Sequence, residues 1–193
     1  MVDHQIYNNI IVGGYSWGIS VYQGSSIRVL NNTCYTNAGG INFELATNIW
    51  AENNICVGAY ASFVGGIGLD NVHTASVQNN LAYGNFYGAG LRSSDYVNRN
   101  DSVNITTNGN MFGTEGVWGN VRVNGNFDAR FANPVASDFH LLDGSDAIRR
   151  AKAQSFFTTD YGDNPRGPTT WSIGAWEYRL DPPTGLRVLT SAP

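Results

Sequence analysis

Side chains able to do chemistry recur at one place in a repeated pentapeptide. The copies are Gly18-Ile-Ser-Val-Tyr22, Gly40-Ile-Asn-Phe-Glu44, Gly66-Ile-Gly-Leu-Asp70 and Gly88-Ala-Gly-Leu-Arg92, and stacking them puts Tyr22, Glu44, Asp70 and Arg92 in one column. Carboxylates on neighbouring copies repel. They favour a raised pKa on one of them, a bound cation, or a positive partner, and Arg92 is a candidate for that partner. A plain Asp70–Arg92 ion pair is the simplest outcome; acid–base work by Glu44 and Asp70 competes with it.

The elements that carry this column follow from the pattern around it. In each copy the second and fourth residues are apolar while the third and fifth are mostly polar or Gly, the period-2 signature of a strand with one wet face. Asparagine pairs recur at Asn8-Asn9, Asn31-Asn32, Asn53-Asn54 and Asn79-Asn80, with the variant Asn108-Gly109-Asn110, at spacings of 23, 22, 26 and 29 residues. A period in this range with small insertions predicts a solenoid. Within each period an alternating strand leads in (26–30, 48–52, 75–78 and 103–107), the Asn pair turns the chain, and a second short strand follows. A variable Gly-rich loop then delivers the pentapeptide strand. Asn suits such corners because it tolerates left-handed backbone angles and its amide bonds the nearby backbone. At a rung spacing of ~4.8 Å, inward amides can also pair up the coil. Hairpin turns of a sandwich would not keep so long a period.

Composition agrees with a strand-and-turn protein. The 193 residues include 23 Gly, only 13% are charged, and 12% are aromatic, a balance that suits strands better than helices. The formal charge of −4 and the lack of a basic run argue against nucleic acid as a partner. No apolar run reaches spanning length, so membrane insertion is not expected, and a monomer is.

The Asn-Asn corner followed by a Gly-Ile-x-apolar strand, repeated at about 22 residues over positions 4–127, resembles the right-handed parallel β-helix repeat of pectate-lyase-like proteins. The expected fold is therefore all-β: a right-handed parallel β-helix of about five rungs over residues 1–127 with an irregular C-terminal cap. Its fifth rung would continue through Asn120-Val-Arg-Val-Asn124, which lacks the leading Gly. Cys34 and Cys56 lie one period of 22 residues apart, each two residues after an Asn pair. They are expected either as stacked buried thiols or, against the geometry of parallel neighbours, as a disulfide.

The rhythm changes at Asp128. Residues 128–180 resemble the closing segment of secreted bacterial β-helix proteins, with Phe139, Leu141, Ile148, Phe156, Phe157, Trp171, Ile173 and Trp176 as apolar cover and His140 and Glu177 in structural roles. Such a segment covers an open sheet edge. Residues 181–193 form a Pro-led linker stub resembling the start of a fibronectin type III module. The resemblance implies an exported or cell-surface protein, with the signal outside this chain.

The same resemblance implies a polysaccharide partner, lying along the sheet that follows the variable loops. Tyr15, Trp17, Tyr60, Phe63, Phe86, Tyr87 and Trp118 would meet the apolar faces of sugar rings there, and Asn42, Arg122 and Asn124 extend a polar strip. In a lyase for an acidic (uronate) glycan, Glu44 and Asp70 would hold Ca²⁺, Arg92 would neutralise the uronate or act as base, and Tyr22 or His73 would handle the second proton. The only lysine, Lys152, lies in the closing segment, which disfavours families whose base is a rung lysine. A glycoside hydrolase would instead use Glu44 and Asp70 as its carboxyl pair, at ~5 Å for retention or ~6.5–9.5 Å for inversion. A non-catalytic carbohydrate-binding or adhesion solenoid needs only the aromatic groove and the polar ladder. Asp95 and Asp101 could add a Ca²⁺ ligand or be solvated loop residues.

Overall fold

The computed structural model describes residues 4–60, 65–85, 96–99, 103–112, 114–117, 120–123 and 126–179. The chain winds as a coil of short parallel strands, three to a turn. The first turn is β1 (His4–Tyr7), β2 (Ile10–Val12) and β3 (Trp17–Tyr22). The second is β4 (Ser25–Leu30), β5 (Thr33–Tyr35) and β6 (Gly39–Glu44). The third is β7 (Thr47–Glu52), β8 (Ile55–Val57) and β9 (Ile67–Asp70). The ladder continues into β10 (His73–Gln78), β11 (Leu81–Tyr83) and β12 (Tyr96–Arg99), then β13 (Val103–Asn108), β14 (Met111–Phe112) and β15 (Thr114–Val117). Every third strand joins the same sheet: β1, β4, β7, β10 and β13 form sheet A, β2, β5, β8, β11 and β14 sheet B, and β3, β6, β9, β12 and β15 sheet C. The protein is thus an all-β parallel solenoid. Its regular part amounts to about three turns, fewer than the five rungs expected.

Alternation along each strand fills the coil. Ile19, Val21, Ile41, Phe43, Ile67 and Leu69 from sheet C meet Val29, Ile49, Ala51, Ala75 and Val77 from sheet A, and Cys34, Cys56, Ala82 and Phe112 from sheet B. Burial of each larger aliphatic side chain contributes roughly 1.5–3 kcal/mol. Cys34 stands directly opposite Cys56, and both are buried thiols with no bridge between them. Close packing explains the leading glycine of the first two pentapeptides, against the Cys34 sulfur in one and the backbone of the next rung in the other. A Cβ on Gly18 would lie 2.7 Å from Cys34 Sγ, and one on Gly40 would lie 2.1 Å from the Gly66 carbonyl oxygen, so neither position accepts a side chain.

The corner between sheets A and B is built as the asparagine pattern predicts. Asn8, Asn31, Asn53 and Asn79 turn the chain at φ of 55°, 52°, 59° and 51°. The second asparagine of each pair points inward and forms a ladder: Asn9 Nδ2 donates to Asn32 Oδ1, Asn32 to Asn54, Asn54 to Asn80 and Asn80 to Asn110, at 2.9–3.1 Å. Each inward Nδ2 from Asn32 onward also reaches a strand carbonyl, namely Ile6, Val29, Ala51 and Val77. In the last rung Gly109, at φ 63°, takes the corner place expected for Asn108, which pairs with Gln78 at the strand end.

Sheet C differs from expectation at its far end. The copy Gly88 to Arg92 lies outside the described residues, and the strand that pairs with β9 is β12. β16 (Asn120–Val123) is a hairpin partner running antiparallel to β15, not a parallel fifth rung, so Arg122 stands opposite Glu115.

Residues 126–179 run along the outside of the coil. They include β17 (Phe131–Asn133), a 3₁₀ turn (Pro134–Ala136) and β18 (Asp138–Leu141), then β19 (Ala151–Lys152) paired with β20 (Thr170–Trp171). Ala129, Leu141, Ala147, Ala151, Phe157, Trp171 and Ile173 pack on Leu30, Ile55, Val57 and Leu81, making a second core on the outer side of sheet B. Corner amides hold the segment: Asn31 Nδ2 donates to the Ser172 and Gly174 carbonyls and Asn53 Nδ2 to that of Lys152. Arg166, its guanidinium fully buried, donates to Asn8 Oδ1, to the Ser172, Gly174 and Ala175 carbonyls and to Glu177. Burial pulls the Arg166 pKa down, and Glu177 and Asp160 oppose that pull.

Candidate functional site

The column is formed by sheet register. Tyr22 pairs with Glu44, Glu44 with Asp70, and Asp70 with Arg99. Immediately after the first three members the chain turns through left-handed residues, Gln23, Leu45 and Asn71, at φ of 52°, 52° and 51°. Those turns are tied to the column one rung on: Gln23 N donates to the Glu44 carbonyl at 2.9 Å and Leu45 N to that of Asp70 at 3.0 Å. The corner therefore fixes the backbone of the column at the end of each strand and leaves its side chains on the outer face.

Along that face the environments differ. Tyr22 is 60% exposed, whereas Glu44 and Asp70 are half-buried. Asp70 accepts from Asn71 Nδ2 at 3.3 Å, while among the described residues no hydrogen bond or ion pair reaches the Glu44 carboxylate. One step back along the strands lie Ser20, Asn42 and Gly68, in register. Ser20 is exposed, and Asn42 retains only 5% of its surface.

The aromatic residues expected to line the groove fall into separate groups. The Trp17 ring lies over Gly39, where a Cβ would come within 2.2 Å of it. Tyr15 is 98% exposed beside Gly14, and Tyr60 donates through its hydroxyl to the Gly14 carbonyl at 3.2 Å. These rings stand at the loop end of sheet C, opposite to the column. His73 is not on this sheet: it opens β10 in sheet A, beyond the Asn71-Val72 corner, and its N–H donates to the Ala46 carbonyl. Arg92, Phe63, Phe86, Tyr87, Trp118, Asn124, Asp95 and Asp101 lie outside the described residues.

Arg99 is the residue that pattern matching missed. Tyr22, Glu44 and Asp70 each precede the first residue of an asparagine pair by nine positions, and Arg99 precedes Asn108 by the same nine. That offset was available in the sequence. The copy ending at Arg92 resembles the pentapeptide but stands too far from the next corner.

Among the described residues no group of three or more His, Cys, Asp or Glu gathers as a metal cage. Glu44 and Asp70 offer hard carboxylate oxygens, the right donors for Ca²⁺, but only part of a shell that takes about 6–8 oxygens. His140 and Glu177 sit away from the column, in the outer segment. His140 Nδ1 bonds Asp138 at 2.6 Å and its ring stacks on Trp176 at 3.9 Å, and this contact holds the Asp138 carboxyl below the usual carboxylate range. Glu177 accepts from Ser172 N and Oγ as well as from Arg166.

No family model, curated protein or solved structure matches the chain. The class defined by the fold is the parallel β-solenoid. No helix among the described residues is long and apolar enough to cross a membrane.

Proposed function

We propose that the protein is an exported carbohydrate-active solenoid that takes an acidic glycan along the outer face of sheet C and cleaves it by β-elimination. The observation that carries this reading is the register column Tyr22, Glu44, Asp70, Arg99. It sets a carboxylate pair beside a position occupied by a cation-bearing residue type, and an elimination next to a uronate carboxylate needs both charge neutralisation and a base. Arg99 takes the role first given to Arg92. Glu44 and Asp70 would hold Ca²⁺ jointly with the glycan, and the ion would supply charge neutralisation at the uronate carboxylate. Tyr22, exposed at the head of the column, is the residue placed to exchange a proton with solvent.

The test is incubation with a panel of uronate polysaccharides, with and without Ca²⁺, recording absorbance of unsaturated ends alongside reducing ends. Absorbance is the expected result. Reducing ends alone would move the chemistry to hydrolysis by the Glu44 and Asp70 pair, and binding without either product would leave a non-catalytic binding or adhesion solenoid. Glu44→Gln, Asp70→Asn and Arg99→Ala should each lower turnover at least about 100-fold, with Arg92→Ala as the contrasting variant. Full activity in the first three would remove the column from the mechanism.

A further inference from the structure

Asn42 breaks a rule that every other buried asparagine obeys. The amides of Asn31, Asn32, Asn37, Asn53, Asn54, Asn80 and Asn85 all donate to a carbonyl or to another amide. The Asn42 amide is 95% hidden from solvent, and among the described residues nothing hydrogen-bonds it. A buried amide left this way is costly, and native proteins keep few of them. It does not point into the core. Ile41 and Phe43 on either side fill the coil interior, so alternation turns Asn42 to the outer face, the face of Glu44.

The row that contains it shows that the position does not need an amide. Ser20 occupies it one rung before and Gly68 one rung after. Gly68 leaves one flank of Asn42 without a side chain, and the exposed Ser20 stands on the other. A primary amide presents one acceptor and a pair of donors side by side. Glu44, next along the same face, adds only acceptors. Sugar hydroxyls, which donate and accept, satisfy this set, whereas a uronate carboxylate there would face the Glu44 and Asp70 charges with only the amide N–H to hold it.

We infer that Asn42 is a specificity residue that reads the hydroxyls of a neutral sugar unit, so that the glycan taken by sheet C alternates or mixes neutral units with uronates. This rests on the glycan reading above and narrows its substrate class.

The experiment is calorimetric titration of the whole chain with two oligosaccharides of equal length, one mixing neutral and uronate units and one of uronate alone, using the native protein, Asn42→Ser and Asn42→Asp. Asn42→Ser copies the residue found one rung earlier, and Asn42→Asp keeps the shape while removing the donors. The native protein should prefer the mixed ligand by about tenfold, the scale of one or two hydrogen bonds. Asn42→Ser should erase that preference, with uronate binding held within about twofold and thermal stability not lowered, whereas Asn42→Asp, which adds a charge beside Glu44, should weaken both ligands and the uronate one more. Equal weakening toward both ligands, an unchanged preference, or a drop in melting temperature for Asn42→Ser would overturn the inference while the glycan reading stands. Failure of the native protein to bind either ligand would overturn both.

Discussion

Asn54 and Asn42 are the same side chain, both hidden from solvent and both in the same coil, and they are used in opposite ways. Asn54 lies at the corner between sheets A and B. Its Oδ1 accepts from the Asn32 backbone and side chain, and its Nδ2 donates to the Val29 carbonyl and to Asn80. Asn42 lies on the outer face of sheet C, in a rung position shared with Ser and Gly, and no such set surrounds it. The corner has to be satisfied internally because each turn of a solenoid ends in backbone groups that no strand pairs. The face is under no such demand, since its backbone is already paired in the sheet. Unused hydrogen-bonding capacity can persist there, where a ligand can meet it.

The contrast can be broken first at the outer segment, where the coil is held most heavily. Arg166→Met removes a buried guanidinium that spans Asn8, four carbonyls and Glu177. Losing one partner of a buried, hydrogen-bonded charge pair costs roughly 3–5 kcal/mol, so urea denaturation should show a loss of that size, together with faster proteolysis within residues 128–179. Asn54→Ala comes next, at about 3 kcal/mol, because it removes the acceptor of the Asn32 backbone and side-chain N–H groups and the donor to the Val29 carbonyl, while Asn80 Oδ1 keeps only the Asn54 backbone N–H. A loss under about 1 kcal/mol would mean that the ladder is a consequence of the fold and not one of its supports.

Tyr83 gives a smaller, pH-dependent effect at the seam between coil and outer segment. Its hydroxyl donates to Asp128 and accepts from the Ala129 backbone, and burial, reinforced by the Asp128 charge, raises its pKa well above the ordinary phenol value. A raised pKa favours the neutral phenol in the folded state. The stability it contributes is therefore complete below the unfolded value of about 10 and is lost as pH climbs from there toward the raised folded value. Tyr83→Phe should cost about 1 kcal/mol at neutral pH. That difference from the native protein should shrink at pH above about 10, read from urea midpoints across the alkaline range; a constant gap would mean that the hydroxyl does not titrate with unfolding.

The corner was legible in the sequence because its asparagines act locally, through left-handed backbone angles and amides one period apart. Three members of the column were legible for the same reason, the Gly-Ile-x-apolar strand and the corner lying close together in the chain. Arg99 was hidden by a longer, variable loop: composition drew the pattern to the Gly-rich copy ending at Arg92, while the nine-residue offset from Asn108 marked Arg99, although the turn of that rung falls one residue later, at Gly109. Arg166 could not have been read, since its partner Asn8 is 158 residues away and no local signal marks an arginine that will be buried. Asn42 looked like one more polar residue on a wet strand. What distinguishes it is the lack, among the described residues, of a hydrogen-bond partner for its buried amide, which no spacing encodes.

The smallest expected effect is on stability at the column, and it sharpens the contrast most. Glu177 and Glu44 are both partly buried carboxylates, but Glu177 accepts from Ser172 N and Oγ and from Arg166, whereas among the described residues Glu44 accepts from none. Glu177→Gln removes a charge that Arg166 needs, and it should destabilise by about 2–3 kcal/mol. Glu44→Gln keeps shape and volume and interrupts nothing, so its denaturation midpoint should stay within about 0.5 kcal/mol of the native protein; relief of repulsion from Asp70, one strand away, would move it upward. A clear loss of stability in Glu44→Gln would show the column to be part of the scaffold. An unchanged or raised midpoint would mark it as a charge pair that the fold tolerates without using, which is what a site facing a ligand requires.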